Sequence, residues 1–239
     1  MTHEADLAQI QLNRVNYYRW LSRLYRAEID QPLFDRLKEM RFPASSANDD
    51  LKAGYSQMRA SLDEADSRDL DVLAADYAKV FLGAGIARGS EAAAFPFASV
   101  YTSPKRIMMQ EARDRAVETF ANHGLRLALD ENGLPEDHLA NLLEFMAWLC
   151  QSCHDALAAA DNGRAANLLS EQLSFLRQHL LNWVPKFCAD LEKHADTLFY
   201  QSIGKITRGF LQLDSLSLAA LASPANFGGS TYGLCSELF

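Results

Sequence analysis

The stretch LKAGYSQMRASL at 51–62 places Leu51, Tyr55, Met58 and Leu62 at steps of four, three and four. Side chains three and four residues apart share one face of an α-helix, so these four form an apolar stripe. The stretch LDVLAADYAKVF at 70–81 repeats the device with Leu70, Leu73, Tyr77 and Phe81, stepping three, four and four. Two successive amphipathic segments, with no alternating pattern between them, predict helix packed on helix.

The same period extends in both directions. At 5–28, Leu7, Ile10, Tyr17, Leu21 and Leu24 recur at spacings of three, four or seven. Asp30 ahead of Pro32 reads as a cap before a first-turn proline, and opens a short helix with Leu33, Phe34, Leu37 and Met40. A polar loop, FPASSAN, follows at 42–48. Toward the C-terminus, Ser103 and Pro104 predict another helix, running to about Ala121 and ended by His123-Gly124. The turn at 130–133 leads to Pro135. A helix is predicted to open there, with Glu136 and Asp137 in its first turn and Leu139, Leu142, Leu143, Met146 and Leu149 on its apolar face. After a break at Asp161-Asn162-Gly163, residues 165–193 predict one or two helices with Pro185 as boundary or kink, and 196–222 the last helix. Two segments stay irregular: GAGIARGSEAAAFPFAS at 83–99 and the tail at 223–239. The expectation is an all-α, single-domain bundle over residues 1–222, of roughly eight to ten helices, with an irregular tail.

Composition agrees. The chain has 239 residues, 49% hydrophobic and 23% charged, enough apolar material for a sizeable core. Twelve glycines and seven prolines are few for the turns of a sandwich or barrel. The net charge of −8, from 31 acidic and 23 basic side chains, argues against nucleic acid and suits a cationic partner. No apolar run approaches the roughly 18 residues of a membrane helix. The polar start, Met1-Thr2-His3-Glu4, does not read as a signal peptide. A cytoplasmic protein is expected, with Cys150, Cys153, Cys188 and Cys235 as reduced thiols.

Enzyme chemistry finds little support. Cys150-Gln151-Ser152-Cys153-His154 matches the CxxCH pattern of c-type haem attachment, but lies inside a strong helical pattern. The competing reading is two small side chains half-buried one helical turn apart. Gly83-Ala84-Gly85 lacks the third glycine and preceding strand of a dinucleotide site. No metal set, phosphate cradle or catalytic triad is readable, so no cofactor and no catalysis are predicted.

Three motifs remain: Tyr77-Ala78-Lys79-Val80-Phe81, Pro96-Phe97-Ala98-Ser99-Val100-Tyr101 and Leu134-Pro135-Glu136-Asp137-His138. Their plain readings are aromatics that plug the core beneath a loop and an Asp-His pair that caps a helix. In this order, with His179-Leu180-Leu181-Asn182-Trp183-Val184-Pro185 and Thr197-Leu198-Phe199-Tyr200 behind them, they resemble the TorD/DmsD family of redox-enzyme maturation chaperones over about residues 10–214. That resemblance implies a helical, non-enzymatic chaperone acting in molybdoenzyme maturation and anaerobic respiration. Its partners would be the twin-arginine signal peptide and the apo form of a molybdenum reductase, held back from export until bis-molybdopterin guanine dinucleotide is inserted. A sister branch serves nitrate-reductase-like enzymes. The family's glutamate before the proline is Leu134 here, which points to Glu136 in its place or to a different client.

A peptide with paired arginines and an apolar stretch needs carboxylates beside a greasy groove, because arginine grips carboxylate bidentately while burial supplies affinity. The expected groove is Tyr77, Val80, Phe81, Pro96, Phe97 and Tyr101, with Ser99 and Pro135 in the same motifs. The expected rim is Asp137 and His138, with Glu136 or Asp76. A monomer or a homodimer fits the sequence equally.

Overall fold

Capping chemistry decides where the helices of this chain begin. The computed structural model describes residues 3–64, 69–87, 92–127 and 133–222; the tail at 223–239 and the turn at 130–132 lie outside them. Ten α-helices are present among the described residues: α1 His3–Arg26, α2 Gln31–Glu39, α3 Asp49–Asp63, α4 Asp69–Leu82, α5 Ala98–Thr102, α6 Glu111–Asn122, α7 Leu139–Ala158, α8 Asn162–Phe175, α9 Val184–His194 and α10 Leu198–Leu221. A π-helical turn, Leu176–Leu181, continues α8, and Pro185 sits in the first turn of α9, at the predicted boundary. The all-α expectation holds.

Asp30 accepts from the Leu33 N–H at 2.9 Å, Asn48 from Leu51 at 3.1 Å and Asp161 from Arg164 at 3.0 Å, each satisfying a donor that a helix start leaves open. Gly83, at φ +73°, ends α4: its N–H bonds to the Lys79 carbonyl and the Ala84 N–H to the Ala78 carbonyl.

Two predicted helix starts move. Ser103-Pro104 does not open α6, which begins at Glu111. Residues 103–110 instead form a looped connection in which Arg106 and Met109 take positive φ of 51° and 62°. Pro135 does not open α7, which begins at Leu139 with His138 as its cap. In both cases the backbone is claimed by hydrogen bonds to residues far away in sequence, described below.

The chain forms two compact helical units. The unit of Leu24–Pro96 and Trp183–Phe210 has an aromatic core. Phe81 packs edge-on against Tyr25, Tyr77 and Tyr200, with ring centroids 5.8, 5.0 and 5.5 Å away, and stacks on Phe187 at 6.2 Å. Such pairs add to area burial through their quadrupoles. Here α3 and α10 approach closely through glycine. A Cβ on Gly209 would stand 2.7 Å from the Leu51 nitrogen, and one on Gly54 2.9 Å from the Ile206 nitrogen. Arg208 joins α10 to α3 and α9 by donating to both Asp50 oxygens at 2.7 Å and to Glu192 at 2.5 Å.

The unit of Met1–Arg23, Phe97–Asn182 and Leu211–Phe239 is organised around a buried charge. Arg14, 1% exposed, grips Asp214 bidentately at 2.7 and 2.9 Å. Tyr18 donates to the same carboxylate at 2.6 Å, and Gln11 and Gln172 accept from the guanidinium. Burying either ion alone is prohibitive, so each partner requires the other.

Candidate functional site

Residues 97–101 of the second sequence motif meet the third motif within one unit. Phe97 and His138 form an isolated antiparallel bridge, with their rings edge to face at 4.9 Å. The Asp137 carbonyl accepts from the Ala98 N–H at 3.0 Å, and its carboxylate accepts from the Ser99 N–H at 2.9 Å. These are the first donors of α5, whose own cap residue, Phe97, offers no side-chain acceptor. Asp137 therefore caps a helix 38 residues upstream instead of standing in the first turn of its own. His138 caps α7: its Nδ1 accepts from the Ala140 N–H at 3.1 Å, which requires a neutral ring. Asn141 secures the turn by donating to the carbonyls of Leu134 and Pro135 at 3.1 and 2.8 Å.

Ser99 extends the chain of bonds. Its hydroxyl accepts from the Gln110 N–H at 3.1 Å, and the Gln110 amide holds the Met108 and Met109 carbonyls. This is why α6 starts late. The loop so held carries Ile107, Met108 and Met109 on the surface.

Asp137 and His138 are 0% and 2% exposed, and Ser99 and Pro96 are buried. As placed, Ser99, Asp137 and His138 are struts, and the plain reading of the Asp-His pair as a capping device is the observed one. Phe97, Tyr101, Pro135 and Glu136 keep surface. Glu136 is the carboxylate that faces outward here, and Arg113 already binds it at 2.8 Å, with side chains 32% and 21% exposed for arginine and glutamate. Sequence reasoning did not find Arg113, Gln110 or Asn141. They lie at helix ends or in loops, and no local pattern marks the partners they reach.

In the other unit Tyr77, Val80 and Phe81 are 5%, 0% and 1% exposed inside the aromatic cluster. The Tyr77 hydroxyl donates to the Tyr25 carbonyl at 3.1 Å, and Val80 accepts from the Ala94 N–H at 2.8 Å. This corrects the expectation of an open apolar wall at these three positions: in this structure they are core side chains. Asp76, 3% exposed, is not a rim carboxylate. It accepts from the N–H groups of Asp196 and Thr197 at 3.0 and 2.8 Å and from the Thr197 hydroxyl at 2.7 Å, fixing the start of α10.

The CxxCH segment faces inward on α7. Cys150 and Cys153 are both 0% exposed, with their sulfurs near Gln172 Oε1 at 3.8 Å and the Ala165 carbonyl at 3.7 Å. Burial pushes their thiols up to about 12 and about 11. His154 Nδ1 lies 3.1 Å from the Ala8 carbonyl. Both sulfurs are enclosed by helix packing, so a haem macrocycle has no access to them, and the haem reading is dropped. Among the described residues no cluster of His, Cys, Asp and Glu could hold a metal, and no helix is long and apolar enough to cross a membrane.

Comparison with known proteins relates the sequence of this chain to one family. A family model described as nitrate reductase delta subunit covers residues 46–189. The chain is 27% identical over 208 residues to Chaperone protein TorD of Vibrio vulnificus (strain YJ016), covering 84% of this chain and 93% of that one. It is 28% identical over 222 residues to Chaperone protein TorD of Vibrio cholerae serotype O1 (strain ATCC 39315 / El Tor Inaba N16961), covering 90% and 96%. A solved structure, described as a candidate redox enzyme maturation protein from Archaeoglobus fulgidus, aligns over 87% of this chain and 94% of its own, at a TM-score of 0.45 and 15% identity.

Proposed function

The chain belongs to the nitrate reductase delta subunit family, with TorD-type maturation chaperones as its relatives, and from that premise we propose that it is itself a maturation chaperone for a molybdenum-containing enzyme. It captures the client's twin-arginine signal peptide and apo form in the cytoplasm and releases them once the cofactor is in place. It performs no catalysis of its own.

One observation supports peptide capture above the others: the Arg113–Glu136 pair at 2.8 Å on the shoulder of the Phe97–His138 junction. A guanidinium already occupies the position an incoming arginine needs. Because the pair is part-exposed, its net worth is small, about 0–1 kcal/mol, and a client arginine can exchange with Arg113 at little cost. Glu136 thereby takes the place of the family glutamate that Leu134 lacks. Phe97, Tyr101 and Pro135 supply the apolar surface next to it, while Ser99, Asp137 and His138 hold that surface in shape from beneath. Tyr77, Val80 and Phe81 support the reading only as the core of the other unit.

The test is calorimetry with a synthetic peptide bearing two adjacent arginines and an apolar stretch. Glu136→Gln is expected to weaken binding about threefold to tenfold, consistent with a charge-assisted hydrogen bond. Unchanged affinity in a folded Glu136→Gln protein removes this carboxylate from the site. The family description favours a nitrate-reductase-like client as the second reading, which pull-down and mass spectrometry of the bound partner distinguish.

A further inference from the structure

The connection between α5 and α6 holds an apolar loop out of the core. Ile107, Met108 and Met109 are 52%, 46% and 56% exposed, three large apolar side chains in a row. Such a run adds little to burial and invites unspecific contact, which marks a surface kept for a partner.

The loop backbone is held in one shape. Arg106 and Met109 take positive φ, a conformation that costs free energy for a residue with a Cβ. The Gln110 amide donates to the Met108 and Met109 carbonyls, both at 3.1 Å, and the Arg106 N–H donates to the Ser103 carbonyl at 3.1 Å. The Gln110 N–H is itself anchored on the Ser99 hydroxyl. A backbone fixed in advance spares a partner the cost of ordering it. The two methionine side chains, unbranched and polarisable, still adapt to apolar groups of differing shape.

Place and charge choose the occupant. The Arg113 N–H donates to the Gln110 carbonyl at 2.8 Å, and the Arg113 guanidinium binds Glu136. The anchor of the loop therefore lies one helical turn, about 5 Å, from the residue that holds the outward-facing carboxylate. A few extended residues, at about 3.3 Å each, cover a separation of that order. Lys105 stands exposed at the start of the loop, which disfavours a cation there and directs it toward Glu136. We propose that Ile107, Met108 and Met109 dock the apolar stretch of the client segment whose arginine reaches Glu136. This rests on the signal-peptide reading and deepens it, adding residues that none of the three sequence motifs contains.

Two synthetic peptides separate the loop from Glu136. One carries two adjacent arginines and an apolar stretch; in the other the arginines are replaced by glutamine. Fluorescence anisotropy of the labelled peptides gives the affinities. Ile107→Gln with Met108→Gln changes two exposed side chains and leaves the Gln110 bonds to backbone carbonyls in place; thermal melts verify the fold. The double variant is expected to lose about tenfold in affinity for both peptides, through lost burial. In the wild-type protein, saturating arginine peptide is expected to slow hydrogen-peroxide oxidation of Met108 and Met109 at least about threefold, read by mass spectrometry. Variant affinities within about twofold of wild type for both peptides overturn the loop, and leave capture at Glu136 standing where Glu136→Gln still weakens the arginine peptide. Oxidation rates that the peptide does not change overturn it as well. Wild-type protein that binds the arginine peptide alone also overturns it, because the apolar stretch then supplies no measurable affinity. Loss of self-association or of binding to anionic lipid vesicles in the variant, with peptide affinity unchanged, overturns it and assigns the loop to a second copy or to a membrane surface. Failure of the wild type to bind either peptide overturns this inference and the signal-peptide reading together.

Discussion

The Asp137 carboxylate accepts the Ser99 N–H at 2.9 Å across 38 residues of chain, and it does so with Asp137 0% exposed. Two adjacent acids of one motif therefore have opposite duties. Asp137 faces in and finishes a helix that lacks its own cap; Glu136 faces out and meets a guanidinium. The Ser99 hydroxyl in turn accepts the Gln110 N–H, which reaches the exposed Ile107–Met109 loop. Motif residues that look like ligand contacts are the frame on which a neighbouring surface is mounted.

Replacing Asp137 separates these duties. Asp137→Ala removes the acceptor and leaves the Ser99 N–H buried without it, a loss of about 1–3 kcal/mol. Asp137→Asn keeps an acceptor, and the second carboxylate oxygen makes no hydrogen bond here, so its loss is expected to be smaller, under about 1 kcal/mol. Urea unfolding measures both. Equal losses for Ala and Asn are incompatible with the capping role.

Arg113 competes with any client arginine for Glu136. Arg113→Gln vacates the carboxylate, so the arginine-pair peptide is expected to bind about twofold to fivefold more tightly, the scale of a part-exposed pair. Calorimetry at low and high salt reads the effect, which shrinks as the screening length falls. Weaker binding in Arg113→Gln means instead that the arginine positions Glu136, and it defeats the exchange mechanism.

How far the sequence carries differs between fold and site. Helix periodicity located Leu51–Leu62 and Leu73–Phe81 on buried faces, and Asp30 was a legible cap; Asn48 and Asp161, read only as a loop end and a break, cap their helices in the same way, by a bond three residues onward. The starts of α6 and α7 were misplaced because their local signals, Ser103-Pro104 and Pro135, lose to bonds from Ser99 to Gln110 and from Asp137 to Ser99. Such bonds leave no periodic trace. The burial of Tyr77, Val80 and Phe81 was consistent with their helical spacing, but spacing alone cannot tell a core stripe from a groove wall. Arg113 lies 23 residues from Glu136, beyond the reach of any local pattern.

The Arg14–Asp214 pair is expected to show the asymmetry of buried ions. Asp214→Ala takes the carboxylate from a guanidinium that is 1% exposed, at a cost of about 3–5 kcal/mol. The combined Arg14→Met and Asp214→Leu change removes both charges and is expected to cost clearly less than the single substitution. Denaturant midpoints for the two proteins decide it. A double variant as unstable as the sum of its parts contradicts mutual dependence.

Alkaline pH addresses the buried thiols. Burial holds Cys150 at about 12 and Cys153 at about 11, against about 8.5 for an unfolded cysteine. Below pH 8.5 both states keep these protons, so the thiols add no pH dependence. Above it the unfolded chain releases protons that the folded chain retains, and stability falls until the folded values are reached. Each thiol contributes about 1.4 kcal/mol per pH unit in that window, or about 2 kcal/mol by pH 10. Tyr18 and Tyr25, both raised by burial, deepen the decline further up the scale. Cys150→Ser removes one titrating group, so its urea midpoint is expected to fall less between pH 8 and pH 10 than the wild-type midpoint does. Parallel declines in the two proteins show that Cys150 is not a source of the alkaline sensitivity.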